Sequence, residues 1–237
     1  GNAVSLTVCE GEILGLYGLV GAGRSSFMKM LWGARPAEGG SISLDGHVLA
    51  SGDIPARIRL GGAYVPEDRR HEGLITARSI AENLAISDLS RVRGSATLPV
   101  VSRSRLAARA AEIRDMLAVK MGSPWAMPLT LSGGNQQKLL FGRWFGGKNR
   151  LLILDEPTRG VDVGAKAEIH AIVRRIAEEG AAVLMTTSDM DELLALSHRV
   201  MVFAAGEVTA SLEGEALNPR AIIDAAFQHD SRRETAA

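Results

Sequence analysis

"GLVGAGRSS", residues 18–26, decides how the rest of the chain is read. It follows "EILGLY" (12–17), a short apolar run with strand character, and leads into "SSFMKML" (25–31), which has helical character. Strand, glycine loop and helix in that order make a phosphate cradle. Gly18, Gly21 and Gly23 let the backbone curl so that N–H groups point inward, and the helix start near Arg24 adds the positive end of its dipole. A phosphate loop reads Gly-x-x-x-x-Gly-Lys and then Ser or Thr. Here Arg24 stands at the lysine position and Ser25 follows. Arg24 keeps the charge, but its planar fork is bulkier and cannot curl into the loop as a point charge does. Ser25 is placed to set its hydroxyl on a magnesium ion. The same glycines also suit a turn that only closes a helix against a strand. Three readings stand at this point: a working site, a disabled one, or none.

Two further strings bear on the choice. "LLILDEP" (151–157) is a continuous apolar run ending in an acid, as a buried parallel strand does. Beside a phosphate loop, Asp155 suits magnesium, often through water, and Glu156 suits a general base that polarises the attacking water. "LSGGNQQK" (131–138) offers the Ser132 hydroxyl and the open backbone of Gly133 and Gly134 at a helix head, a second anion site. One chain does not need two such sites for one nucleotide. A head-to-tail pair resolves this, with the second loop capping the γ-phosphate held by a partner's phosphate loop.

Composition narrows the classes. At 237 residues with 46% apolar content, the chain suits one large α/β domain with a small subdomain. Lys plus Arg and Asp plus Glu both total 27, which argues against a nucleic-acid partner. The single cysteine, Cys9, excludes an internal disulfide framework, and no apolar run approaches a membrane-spanning length. The start Gly-Asn-Ala, without methionine, suggests a fragment of a longer protein.

Along the chain, "SISLDG" reads as strand and turn, and "GGAYVPED" as a strand running into a polar loop. Residues 86–127 read as a helical insertion in a core of 1–85 and 128–228. Leu106, Ala110, Ile113 and Leu117 sit there at helical spacing, and Arg91, Arg93, Arg103, Arg105, Arg109 and Arg114 are expected on a solvated face. Ile169, Ile172, Val173 and Ile176 mark an amphipathic helix capped by Asp162, and "AAVLMTT" and "RVMVFAAG" read as buried strands. Asn218-Pro219 opens a last helix to about Phe227, with the tail 229–237 expected to be disordered. Alternating strands and helices imply an α/β fold with a mostly parallel sheet covered on both faces.

These strings together resemble an ABC-transporter ATPase domain: "GLVGAGRS" as Walker A, "LSGGNQQK" as signature, "LLILDEP" as Walker B and "TRGVD" (158–162) as D-loop, in family order. More narrowly, "VPEDRRHEGL" (65–74) and "DEPTRGVDVGAK" (155–166) make the chain similar to the second half of tandem ATPase subunits of bacterial ribose-type monosaccharide importers. The resemblance implies a P-loop NTPase with a RecA-like core, a small antiparallel β part and a helical subdomain. It assigns Gly18, Gly21, Ala22, Gly23, Arg24, Ser25, Ser26, Ser132, Gly133, Gly134 and Asp162 to ATP, and Ser25, Asp155 and Glu67 to Mg2+. Glu156, Glu67 and Ser188 fall at catalytic positions. Implied partners are a second ABC ATPase domain upstream in the same chain, membrane permease subunits and, indirectly, a periplasmic solute-binding protein. The implied location is peripheral, on the cytoplasmic side of the bacterial inner membrane.

The departures are as informative. Glu67 stands where the Q-loop has Gln, which puts a carboxylate near metal and phosphates, and Ser188 where the switch loop has His. His47, His71, His170, His198 and His229 all lie elsewhere, so a histidine contact to the γ-phosphate is missing. The aromatic residue that stacks on adenine in the family belongs before residue 1, and Tyr17 is too close to the loop to replace it. The isolated chain is therefore expected to bind ATP weakly and hydrolyse it slowly. Two alternatives remain: a degenerate regulatory half with little hydrolysis of its own, and a soluble ABC-type ATPase of DNA repair. The second lacks support in heptad-rich arms or a cysteine cluster.

Overall fold

Four of the apolar runs become the parallel centre of a six-stranded sheet. The computed structural model describes residues 4–19, 21–94, 100–147, 149–204 and 206–234, with side chains up to 227. The strands are β1 (Ile13–Gly18), β2 (Ile42–Leu44), β3 (His47–Leu49), β4 (Gly62–Val65), β5 (Leu151–Asp155), β6 (Ala182–Thr186), β7 (Arg199–Ala204) and β8 (Glu207–Glu213). The helices are α1 (Arg24–Trp32), α2 (Ile54–Arg59), α3 (Ile80–Ala85), α4 (Arg103–Leu117), α5 (Gly133–Gly142), α6 (Val163–Glu178), α7 (Met190–Leu196) and α8 (Pro219–Glu234). Sheet order is β4-β5-β6-β1-β7-β8. β5, β6, β1 and β7 run parallel, with Leu14 opposite Leu184 and Leu154 opposite Met185. β8 turns back antiparallel on β7, and β2 and β3 form a separate antiparallel ribbon.

The chain divides into two compact units, Gly1–Tyr64 with Asn149–Pro157 and Val173–Ala237, and Val65–Lys148 with Thr158–Ile172. In the first, β1, β5, β6 and β7 carry the fully buried Leu14, Leu154, Val183 and Val202, as strands covered on both faces must. Leu193, Val200, Ile222 and Ala226 pack α7 and α8 on one side of this sheet, with Tyr17 half-buried against them. Asn218 caps α8 by accepting from the N–H of Ala221, as expected. α8 then runs to Glu234, beyond the expected end near Phe227. Its later residues include Gln228, Arg232, Arg233 and Glu234, good helix formers that outweigh the polar composition. The remaining tail residues, 235–237, lie outside the described residues.

The second unit takes in residues 86–127 with their flanks. Leu106, Ala110, Ile113 and Leu117 are all buried along α4, at the spacing that predicted the helix. α4 lies close on α5: a β-carbon on Gly142 would come 2.4 Å from Ile113 Cγ2. Arg109 corrects the solvated-face expectation. It is buried and donates to the carbonyl oxygens of Gly142, the last residue of α5, and of Phe145 just beyond it. Arg143 is likewise internal, donating to the carbonyls of Asn83 and Gly73 and to Asn83 Oδ1, and burial lowers its pKa to about 10.

Candidate functional site

In the first unit, β1 delivers the chain to the glycine loop. Gly18 is needed for closeness, since a β-carbon there would stand 2.4 Å from the Phe203 carbonyl oxygen. Gly21 and Gly23 are needed for conformation: their φ angles are +85° and +91°, and a β-carbon on either would meet nothing within 4 Å. α1 then starts at Arg24 with no side-chain cap and no acid in its first turn. Its dipole end is not neutralised by a side chain of the first turn. Ala22 is buried beneath the loop, with its N–H donating to Leu19 O at 3.0 Å. Ser26 is exposed, and its Oγ accepts from Arg35 at 3.1 Å.

Below the loop, the Ser25 hydroxyl donates to Asp155 Oδ1 at 3.0 Å, and Thr186 Oγ1 donates to the same oxygen at 2.7 Å. Asp155 is fully buried, and its Oδ2 has no hydrogen-bond partner. A buried carboxylate oxygen without a donor is costly unless a cation or an ordered donor meets it. A hydroxyl and one carboxylate, both hard oxygens, match a magnesium ion that takes its remaining ligands from water and phosphate. Among the described residues there is no cluster of three or more His, Cys, Asp or Glu, so an all-protein metal cage is not what these residues build.

Glu156 follows with φ at +50°, in the left-handed region that ordinary residues avoid. Its N–H donates to Thr186 O at 3.0 Å, which holds the turn. Its Oε2 accepts from both the N–H and the hydroxyl of Ser188, each at 3.0 Å. Arg24 reaches the other oxygen, with Nη2 3.8 Å from Oε1, and its Nη1 donates to Thr187 O at 2.9 Å. Arg24, Ser25, Asp155, Glu156 and Ser188 are thus brought together within one unit. The Ser188–Glu156 contact joins residues from different strand ends, and sequence spacing carries no signal for it.

The second unit holds the other predicted residues. Ser132 caps α5 and is exposed; its Oγ accepts from the side-chain amide of Asn135 at 2.8 Å. Asp162 Oδ1 accepts from the N–H of Ala165 at 3.0 Å, the expected cap of α6. Gly134 faces that same turn, where a β-carbon would come 2.3 Å from Ala165 Cβ, and Gly133 lies against Gly160 and Arg69. Glu67 forms an ion pair with Arg159 in this unit. Arg69, which sequence reasoning missed, donates to the carbonyls of Arg159 and Gly160 at 2.8 and 3.2 Å and to Gln136 at 3.3 Å. Burial lowers its pKa. It opens a π-helical turn, Arg69–Gly73, capped by Asp68. The His71 N–H, the His71 ring and the Arg70 N–H hold the Asp68 carboxyl down at about 2.

A strand, a glycine loop and a helix, with a buried acid at the end of a parallel strand one place removed in the sheet, define a P-loop NTPase. The fold agrees with solved ABC cassettes. A nucleotide-free ATP-binding cassette from an ABC transporter matches with a TM-score of 0.78 at 19% identity, covering 94% of this chain and 91% of its own. A dimeric bacterial ABC transporter cassette matches at 0.72 and 22% identity, with 88% of each chain covered. The ABC transporter family model matches residues 2–159. The chain belongs to the ABC transporter family. Among curated relatives, a ribose import ATP-binding protein of Rubrobacter xylanophilus is 46% identical over 90% of this chain. An arabinose import ATP-binding protein of Pectobacterium atrosepticum is 41% identical over 89%. The chain spans only 42% and 41% of the lengths of these two proteins.

Proposed function

We propose that this chain is one nucleotide-binding half of a tandem ABC ATPase that drives import of a monosaccharide-type solute. Ribose and arabinose import are what the relatives' names state, and each relative is more than twice as long as the matched stretch. The observation that carries the nucleotide reading is the Ser25–Asp155 pair, with its buried, unpartnered Asp155 Oδ2 next to Glu156. Gly18, Gly21, Gly23 and the first turn of α1 hold the phosphates. Ser25 and Asp155 hold Mg2+, which supplies charge neutralisation for the polyphosphate. Glu156 orients and deprotonates the attacking water. Ser132, Gly133 and Gly134 cap the γ-phosphate bound to a second, head-to-tail domain, with Asp162 setting the turn beside them. Permease subunits dock from the cytoplasmic side on the surface that carries the Glu67 loop and residues 86–127. A periplasmic binding protein presents the solute to them.

A second reading, a regulatory half that binds nucleotide and hardly hydrolyses it, draws support from Arg24. Its guanidinium is directed at Thr187 and Glu156. Calorimetric titration with Mg-ATP tests the site. The isolated chain is expected to bind more weakly than about 10 μM, and Asp155→Ala to abolish the magnesium dependence of that binding. Binding that persists unchanged in Asp155→Ala would sink the site assignment.

A further inference from the structure

The two oxygens of Glu156 are served by two different loops. Oε2 takes both donors of Ser188, on the loop after β6. Oε1 faces the Arg24 guanidinium from the glycine loop, and the same guanidinium also donates to Thr187 O. Thr187 is itself immobilised: its buried hydroxyl donates to Glu192 Oε2 at 2.5 Å and accepts from the N–H of Asp189 at 3.1 Å. The Arg24 and Glu156 side chains are 14% and 11% exposed, so solvent competes little for these contacts. A guanidinium can address a carbonyl and a carboxylate at once through separate N–H groups in one plane, whereas an ammonium is a single point of charge.

We propose that Arg24 acts on Glu156 rather than on the phosphates, forming with Ser188 a clasp that fixes the orientation of the carboxylate between the two loops. Both are positioning residues for hydrolysis. The lysine position of the phosphate loop has been turned from a ligand clamp into a support for the base. The proposal rests on the reading of Glu156 as general base, and it explains why arginine and a hydroxyl residue stand together at the two positions where Lys and His are otherwise expected. The clasp leaves phosphate binding to the backbone N–H groups of the loop and to Ser25. Loss of Arg24 therefore shows in turnover, not in affinity.

The test uses the full-length protein in its assembled complex, with the partner cassette's own phosphate loop disabled so that remaining turnover belongs to this site. Glu156→Gln comes first. If that background hydrolyses no faster than its Glu156→Gln form, the general-base reading fails and the clasp with it, before any Arg24 variant is made. With the base established, Arg24→Ala is expected to lower kcat about tenfold while the Kd for Mg-ATP, titrated directly, moves less than about threefold. Ser188→Ala is expected to do the same more mildly, and Ser188→Thr to retain turnover. Added to Glu156→Gln, Arg24→Ala should cost nothing further, because it acts through the group already removed. Arg24→Lys decides between the two roles. Lysine offers one nitrogen in place of the two that Arg24 sets on Thr187 O and Glu156 Oε1, so the clasp predicts turnover no higher than wild type. Turnover above wild type in Arg24→Lys, or a Kd weakened more than about tenfold in Arg24→Ala with kcat unchanged, identifies a phosphate clamp and overturns the proposal.

Discussion

Gly21 and Gly23 in one glycine-rich loop and Gly134 in the other are the same residue used for opposite reasons. In the phosphate loop Gly21 and Gly23 stand in open space, and only their positive φ angles exclude a side chain. In the signature loop Gly134 stands in a crowded place: helix α5 begins so close to α6 that a β-carbon would overlap Ala165. The first loop is shaped for something that comes to it, while the second is shaped by its own packing and keeps one exposed donor, Ser132, at its tip. A substitution in the signature glycine therefore mixes a folding effect with a ligand effect. A substitution in Ser132 separates them.

Gly134→Asp is expected to do the most damage. The assembled transporter should lose ATP turnover by more than about a hundredfold, and the protein should melt several degrees lower, since overpacking costs about 1–3 kcal/mol. Loss of turnover with an unchanged melting temperature would break the packing half of the comparison. Next comes Ser132→Ala. Removing a donor aimed at developing charge costs about a hundredfold in rate, while the lost cap costs only about 1 kcal/mol of stability. Steady-state hydrolysis beside a urea melt reads both. We propose that the two composite sites are unequal, with the site completed by Ser132 carrying most of the turnover; Arg24→Ala in the same otherwise intact complex should then dent turnover by less than about threefold. If it proves as harmful as Gly134→Asp, the two loops are equal contributors and the asymmetry is wrong. Asn218→Ala should be the mildest, with about 1 kcal/mol of stability lost from the α8 cap and no change in hydrolysis.

Much of this was legible because it is local. The α4 stripe, the Asp162 and Asn218 caps and the buried runs ending at Gly18 and Asp155 follow from spacing and residue type within a single element. What escaped depends on partners distant in sequence. Arg109 looks like its solvated neighbours until the carbonyl oxygens of Gly142 and Phe145, at and just past the end of α5, claim it. Arg69 reads as one basic residue among several in a polar loop, yet it is held by the backbone after Arg159. β8 was not anticipated either. Its residues are half-buried or exposed, and "EVTASLE" takes its pairing from β7 rather than from any apolar run. For the site, Glu156 and Ser188 could each be placed by motif, but their hydrogen bonds depend on how β5 and β6 end beside each other. Ser188 read as the loss of a contact. The structure places it on the side chain of Glu156.

The backbone of Glu156 carries a further consequence. A residue other than glycine held at φ +50° costs on the order of 1 kcal/mol, and glycine at that position would release it. Judged by backbone strain alone, Glu156 is the wrong amino acid in its place, and Glu156→Gly would relieve that strain while removing the carboxylate that Ser188 and Arg24 contact. A carboxylate on so unfavourable a turn marks a position where backbone ease and chemistry pull in opposite directions.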